Sequence, residues 1–385
     1  MIGELINLDL RKINTPCYII DESKIIKNLE VLDSVQKNTG CKILLAQKAF
    51  SNYALYPQIG KYLKGTAASG LYEARLGREE MGGEVHVFSP AYLGGEFEEI
   101  AQICDYIIFN SIPQFAKFRN RAPNRQLGLR INPEYSEIEN ALYDPCAPNS
   151  RFGAKLEDLK ANPDILSELN GLHFHTMCEQ NSDVLKRTID IIDEEFSEFF
   201  ALPNIKWINF GGGHHITRED YDLATLEAAI VFIRDKYNVE VYLEPGEAIA
   251  LKAGVLAAQV LDFVEGDDLT CTILDASAAC HMPDVLEVPY TPEVIFPSAG
   301  MPNERKFSYR FGGNTCLSGD IIGDYSFDDE LQIGDKIIFG DMAHYTTVKN
   351  NTFNGMKLPN ILLLTQDGSI KVLKEFGYED FKGRL

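Results

Sequence analysis

The chain has 385 residues, 45% hydrophobic and 24% charged, which excludes disorder over most of its length and allows a large core in about two domains. Lys and Arg number 36 against 57 Asp and Glu, a formal net charge of −21, so nucleic acid and anionic membrane are not expected as partners. No run of about 18 uninterrupted apolar residues and no apolar N-terminal core of leader length is present, so the expected setting is the cytoplasm.

In chain order, TPCYIID (15–21) reads first, as an extended segment expected to pair with the C-terminal part of the chain. Eight short apolar runs follow: KILLAQK (42–48), KGTAAS (64–69), EVHVFS (84–89), DYIIFN (105–110), QLGLRIN (126–132), GLHFHT (171–176), IKWINF (205–210) and VEVYLEP (239–245). Helical spacing fills the intervals over 23–36, 52–63, 71–81, 113–119, 183–200 and 220–236. Eight strands alternating with helices predict an α/β fold, a TIM-like (β/α)8 barrel over 22–248; an open doubly wound sheet is the alternative. After Gly246, helical periodicity gives way to the β-like runs VLAAQVLDFVEG, LTCTILD, FSYRFGG, KIIFGDMAHY and SIKVLKEFG. These predict a second, mostly β domain formed by 1–21 with 249–385. The eight cysteines include no CxxC pair and read mostly as buried small hydrophobes; Cys178 and Cys316 stand in polar, glycine-bearing contexts.

A parallel barrel carries its chemistry at the C-terminal ends of its strands. There the runs end in Lys48, Ser69, His175, Gly211-Gly212-Gly213 and Glu244. A lysine closing an apolar run is partly desolvated, which lowers its pKa and frees the amine to attack a carbonyl; a solvated strand-end lysine is the plainer reading. Three glycines let backbone N–H groups approach an anion such as phosphate, or merely form a turn. Glu244 at the mouth can keep a heteroaromatic nitrogen protonated, or sit in a structural ion pair. His173 and His175 share a strand face as core, stacking or metal-binding histidines. His214 and His215 have no further ligand set in the sequence, so no metal is expected.

Taken in order, Lys48, Ser69 with Glu73, Arg151-Phe152-Gly153, His175, Gly211-Gly212-Gly213, Glu244-Pro245-Gly246, Cys316 and Tyr345 resemble the alanine racemase-like, fold type III pyridoxal-phosphate decarboxylases, which include ornithine and diaminopimelate decarboxylases. The likeness runs from Thr15 to about Gly355. EPGEA (244–248), GGNTCLSGD (312–320) and MAHYT (342–346) are similar, more narrowly, to the branch that acts on carboxynorspermidine and carboxyspermidine. The resemblance implies a barrel plus a β-barrel-like domain that also takes the N-terminal strand. It implies pyridoxal 5'-phosphate held covalently by Lys48 and stacked on by His175. The phosphate would lie at Gly211, Gly212 and Gly213 near Tyr345, and the ring nitrogen at Glu244. Cys316 would be supplied across the interface of a homodimer with shared active sites and help return a proton after CO2 leaves. The implied activity is decarboxylation in polyamine biosynthesis. A related amino-acid decarboxylase of diaminopimelate or ornithine type, a pyridoxal-phosphate carrier and a metal-dependent barrel hydrolase are the alternatives.

Departures from the family pattern bear on substrate. Relatives carry Arg after Glu-Pro-Gly, where this chain has Glu247, an anion that repels phosphate and suits a substrate ammonium. Cys178 stands where relatives often have serine, and the Ser69 to Glu73 interval is one residue longer than in some. A cationic polyamine in a pocket needs anionic partners, and Asp284 and Glu287, in the region that forms a specificity helix in the resembling family, and Asp320 are further candidates.

Overall fold

The computed structural model describes residues 13–385. The described residues divide into two compact units, one spanning Lys27–Ile249 and the other joining 13–26 with Ala250–Leu385.

The second unit begins with strand β1 (Cys17–Asp21), which leads into a helix (Glu22–Thr39). The first unit follows, and all eight apolar runs become parallel strands: β2 (Lys42–Ala46), β3 (Gly65–Ala68), β4 (Glu84–Phe88), β5 (Tyr106–Phe109), β6 (Gln126–Arg130), β7 (Gly171–His173), β8 (Trp207–Asn209) and β9 (Glu240–Leu243). β9 pairs back onto β2, closing the barrel. Strands buried on both faces read as near-continuous apolar runs, which is why this pattern survives into the structure. Leu44, Ile108, Trp207 and Tyr242 fill the interior. The indole fits because its neighbours on β6 and β7 are glycines: a Cβ on Gly171 would lie 2.0 Å from Trp207 Cδ2, and one on Gly128 2.3 Å from Cη2. At the N-terminal end Lys42 pairs with Glu84 at 2.8 Å and Glu240 at 3.2 Å, and the Tyr242 hydroxyl donates to that of Tyr106.

Long helices lie over 182–200 and 223–237, started by the side chains of Asn181 and Asp222, which accept the Ser182 and Thr225 N–H groups. The helix expected over 52–63 contracts to two short turns, Tyr53–Leu55 and Tyr56–Ile59, because Pro57 supplies no N–H to an earlier turn and Gly60 ends the second.

The second unit is a nine-stranded mixed sheet made of β1 with β10 (Gly254–Val264), β11 (Thr270–Leu274), β12 (Val294–Phe296), β13 (Phe307–Gly313), β14 (Ile321–Phe327), β15 (Lys336–Gly340), β16 (Asn360–Leu364) and β17 (Ile370–Lys374). β10 is its spine. Its first half pairs with β1 on one side and β15 on the other; a bulge between Val260 and Asp262 then turns its second half onto β11. β1 is sandwiched between β10 and β16, so the N-terminal segment pairs with the C-terminal strands. Among the described residues no helix is long and apolar enough to cross a membrane.

Candidate functional site

Lys48, two residues beyond β2, lines a recess that water enters, yet protein crowds it closely. That crowding and the Arg130 guanidinium push its ammonium below the ordinary lysine pKa, against the opposing charges of Glu244, Cys178 and Glu73. Arg130 closes β6 and is buried between two rings, 4.7 Å from Phe88 and 4.6 Å from Phe152.

Glu244 follows β9. Asn209 Nδ2 donates to its Oε1 at 2.7 Å, and His173 Nε2 lies 3.3 Å from its Oε2. Burial alone would raise a carboxyl pKa, but His173, His86 and Asn209 together hold this one well below the usual range. Burial also lowers the His173 pKa, so that ring is neutral near pH 7 and contributes an N–H donor rather than a charge. The result is an ionised carboxylate under a barrel mouth.

His175, two residues past β7, accepts the Gly212 N–H at Nδ1 (2.9 Å), which leaves its proton on Nε2. Burial, Lys48 and Arg130 hold its pKa well below the ordinary value, so the ring is a fixed neutral plate. The glycines beside it are demanded by space. A Cβ on Gly211 would come 2.5 Å from Phe174 O, on Gly212 2.5 Å from Glu244 O, and on Gly213 2.0 Å from Met177 O. Two of their three amides are engaged inside the protein, Gly211 N–H with Asn209 Oδ1 and Gly212 N–H with His175 Nδ1. This loop therefore ties β7, β8 and β9 together as well as offering close approach to an anion. Near it, Glu179, His215 and Glu247 each bring one ligand atom within 4.8 Å of the others.

The remaining sequence-predicted residues lie in the other unit. Cys316 is exposed on the loop between β13 and β14, its N–H bonded to Asn354 Oδ1 at 2.7 Å. Asp320 is buried, and its carboxylate accepts from Ser277 Oγ, Thr315 Oγ1 (2.6 Å) and the Ala279 N–H (3.1 Å). Asp284 and Glu287 share one helical turn and both pair with Lys349. Tyr345 precedes the turn Thr346–Lys349 with φ of 38°. Sequence reasoning passed over Arg130 and Asn209, although each is a polar residue closing an apolar run; Glu179 sits in a loop with no such signal.

The family profile described as "Pyridoxal-dependent decarboxylase, C-terminal sheet domain" matches residues 17–343. The chain is 44% identical to the carboxynorspermidine/carboxyspermidine decarboxylase of Campylobacter jejuni, over 97% of this chain and 99% of that protein. It is 39% identical to the carboxyaminopropylagmatine decarboxylase of Synechocystis sp., over 100% and 98%. The crystal structure of carboxynorspermidine decarboxylase complexed with norspermidine, from Campylobacter jejuni, superposes with a TM-score of 0.89 at 42% identity, covering 97% of this chain and 100% of that one.

Proposed function

We propose that this chain, which belongs to the pyridoxal-dependent decarboxylase family, removes the α-carboxylate of carboxylated triamines, carboxynorspermidine and carboxyspermidine, in polyamine biosynthesis. The observation that carries the reading is a lysine of lowered pKa and an ionised buried carboxylate brought to one barrel mouth, in a chain 44% identical to a decarboxylase of those substrates.

The residues present fit pyridoxal 5'-phosphate. An amine of depressed pKa suits its aldehyde, an anionic carboxylate suits a protonated ring nitrogen, a neutral fixed imidazole suits a flat ring, and a loop that tolerates no Cβ suits close approach to phosphate. When bound, the group supplies an electron sink for the pair released as the Cα–carboxylate bond breaks. Lys48 would hold it through Nζ, with Gly211, Gly212, Gly213 and Tyr345 at the phosphate. Glu244, kept ionised by Asn209 and His173, would keep the ring nitrogen protonated. His175, pinned by Gly212, would present a flat neutral face to the ring. The Cys316 thiol or the Lys48 amine returns the proton at Cα. We assign Cys316 to the second copy in a homodimer with shared sites, and its exposed thiol suits that role. Glu247, with Asp284 and Glu287, takes the substrate's ammonium groups. Asp320, its charge met by three donors, positions the Cys316 loop instead.

The test is CO2 release from carboxynorspermidine, carboxyspermidine and carboxyaminopropylagmatine beside ornithine, lysine and diaminopimelate. The expected result is a kcat/KM for the carboxylated polyamines roughly tenfold or more above the amino acids, with absorbance near about 420 nm that borohydride removes. Protein carrying that absorbance but releasing no CO2 from any of the six would overturn the reading.

A further inference from the structure

We propose that Glu179, His215 and Glu247 form the subsite for the internal secondary ammonium of the substrate; this rests on the decarboxylase reading above. Glu179 and His215 come from the loops after β7 and β8, and Glu247 opens the short helix Glu247–Ala250 after β9; the three strands are neighbours in the barrel, and the ligand atoms lie within 4.8 Å of one another. The loops are fastened together. Gln180 N–H donates to Gly213 O at 3.3 Å, and Thr217 Oγ1 donates to Ala248 O at 2.6 Å. The acids are thus held side by side rather than converging by chance on a mobile surface.

His215 is the buried member of the cluster. It is 7% exposed, and neither ring nitrogen has a hydrogen-bond partner. Its Nε2 lies 3.3 Å from Glu247 Oε1, within ion-pair reach but out of hydrogen-bond alignment. Buried polar atoms are nearly always partnered, so an imidazole facing a carboxylate in this way marks a place where a further group belongs. Two carboxylates and an imidazole recognise a cation. A secondary ammonium has two N–H donors, and the carboxylates of Glu179 and Glu247 and the His215 ring offer the acceptors for them.

The subsite lies near the reacting end of the mouth. Beyond burial, which raises it most, the Cys178 thiol is raised by the charges of both Glu179 and Glu247 and lowered by Lys48, so all three charged groups lie within electrostatic reach of this thiol. Substrate chemistry says which nitrogen falls this close. Carboxynorspermidine, carboxyspermidine and carboxyaminopropylagmatine differ at their far ends, in an aminopropyl, an aminobutyl and a guanidinobutyl group. All carry the carboxylated aminopropyl arm on a secondary amine. Ornithine, lysine and diaminopimelate place a methylene at that position, which would set an apolar group against the two carboxylates. Glu247 in place of the arginine of relatives becomes a specificity residue rather than a defect in phosphate binding.

The experiment titrates the holoenzyme with norspermidine and with 1,7-diaminoheptane, which has the same length and terminal ammoniums but a methylene at the centre. Calorimetry is expected to give norspermidine a Kd about tenfold or more below that of the diamine, and Glu179→Gln and Glu247→Gln are each expected to bring that ratio close to one. Equal affinities in the unaltered protein, or a ratio indifferent to both variants, overturns the subsite. Tight binding of Zn2+ alone, lost in the same variants, overturns it in favour of a metal centre. CO2 release from carboxynorspermidine is measured in parallel. Release with a ratio of one removes the subsite only, whereas no release from this or any of the other five compounds removes the decarboxylase reading.

Discussion

His214 follows the three glycines and is buried, with Nδ1 unpartnered and Nε2 3.4 Å from Phe210 O. Burial pushes its pKa down to about 4. As pH falls the unfolded chain takes up this proton first, so the contribution to stability is complete above the ordinary value of about 6.5 and is lost on the way to 4. By pH 5 the loss reaches about 2 kcal/mol. Urea midpoints are expected to drop between pH 7 and 5, and to drop less in His214→Gln; parallel slopes would show that this ring does not titrate in the range. Lys48 is the residue proposed to hold the cofactor, and Lys48→Ala is expected to lose both turnover and the borohydride-sensitive absorbance, read by CO2 release and spectroscopy. Lys48, His175 and Glu244 could be picked out because each closes an apolar run. Glu179 could not, since its place beside Glu247 depends on the path of a loop. The triglycine was legible as a close approach, but not as a brace between strands, because His175, which accepts the Gly212 N–H, lies 37 residues away in sequence.

The eight barrel strands were readable because a buried parallel strand needs apolar residues on both faces, a demand that the local sequence alone displays. The mixed sheet was harder to read. β12 has only three residues, β14 (IIGDYSF) contains a glycine and an aspartate, and β16 pairs with β1 at a sequence distance that no local pattern reports. Trp207 exposes the packing logic of the barrel. Its indole occupies the room where Gly171 and Gly128 have no side chain, within an interior otherwise filled by Leu44, Ile108 and Tyr242. A methyl on Gly171 meets the ring junction, enclosed by strands, and neither side can yield cheaply. Gly171→Ala is expected to cost roughly 3 kcal/mol, the upper end for overpacking. Gly128→Ala, which meets the ring's outer edge, is expected to cost less. Urea unfolding of the three proteins measures the order, and a Gly171→Ala protein as stable as the parent would mean that the indole can shift.

At the scale of the whole molecule, the proposed chemistry is split between two compact units: Lys48, His175 and Glu244 belong to the barrel, and Cys316 to the mixed sheet. Cys316 is poised by its own unit. Asn354 accepts its N–H, and four residues on, Asp320 gathers Ser277, Thr315 and Ala279 into a buried knot, so the loop is fixed while the thiol stays exposed. An exposed thiol on a fixed loop suits delivery to a second copy, and in a two-fold dimer each mouth would then draw its lysine from one chain and its cysteine from the other. That arrangement makes a quantitative statement about mixtures. Cys316→Ala is expected to keep the cofactor absorbance and lose most activity, and Lys48→Ala to lose both. Equal amounts, once exchanged, yield heterodimers as half of all dimers, each with one site holding both substituted residues and one holding native Lys48 and native Cys316. The mixture should therefore regain about a quarter of parental activity. Subunit exchange is followed independently with differently tagged chains. Complete exchange without recovery would place Cys316 and Lys48 of each active site on the same chain, while recovery near a quarter fixes the dimer as the catalytic unit.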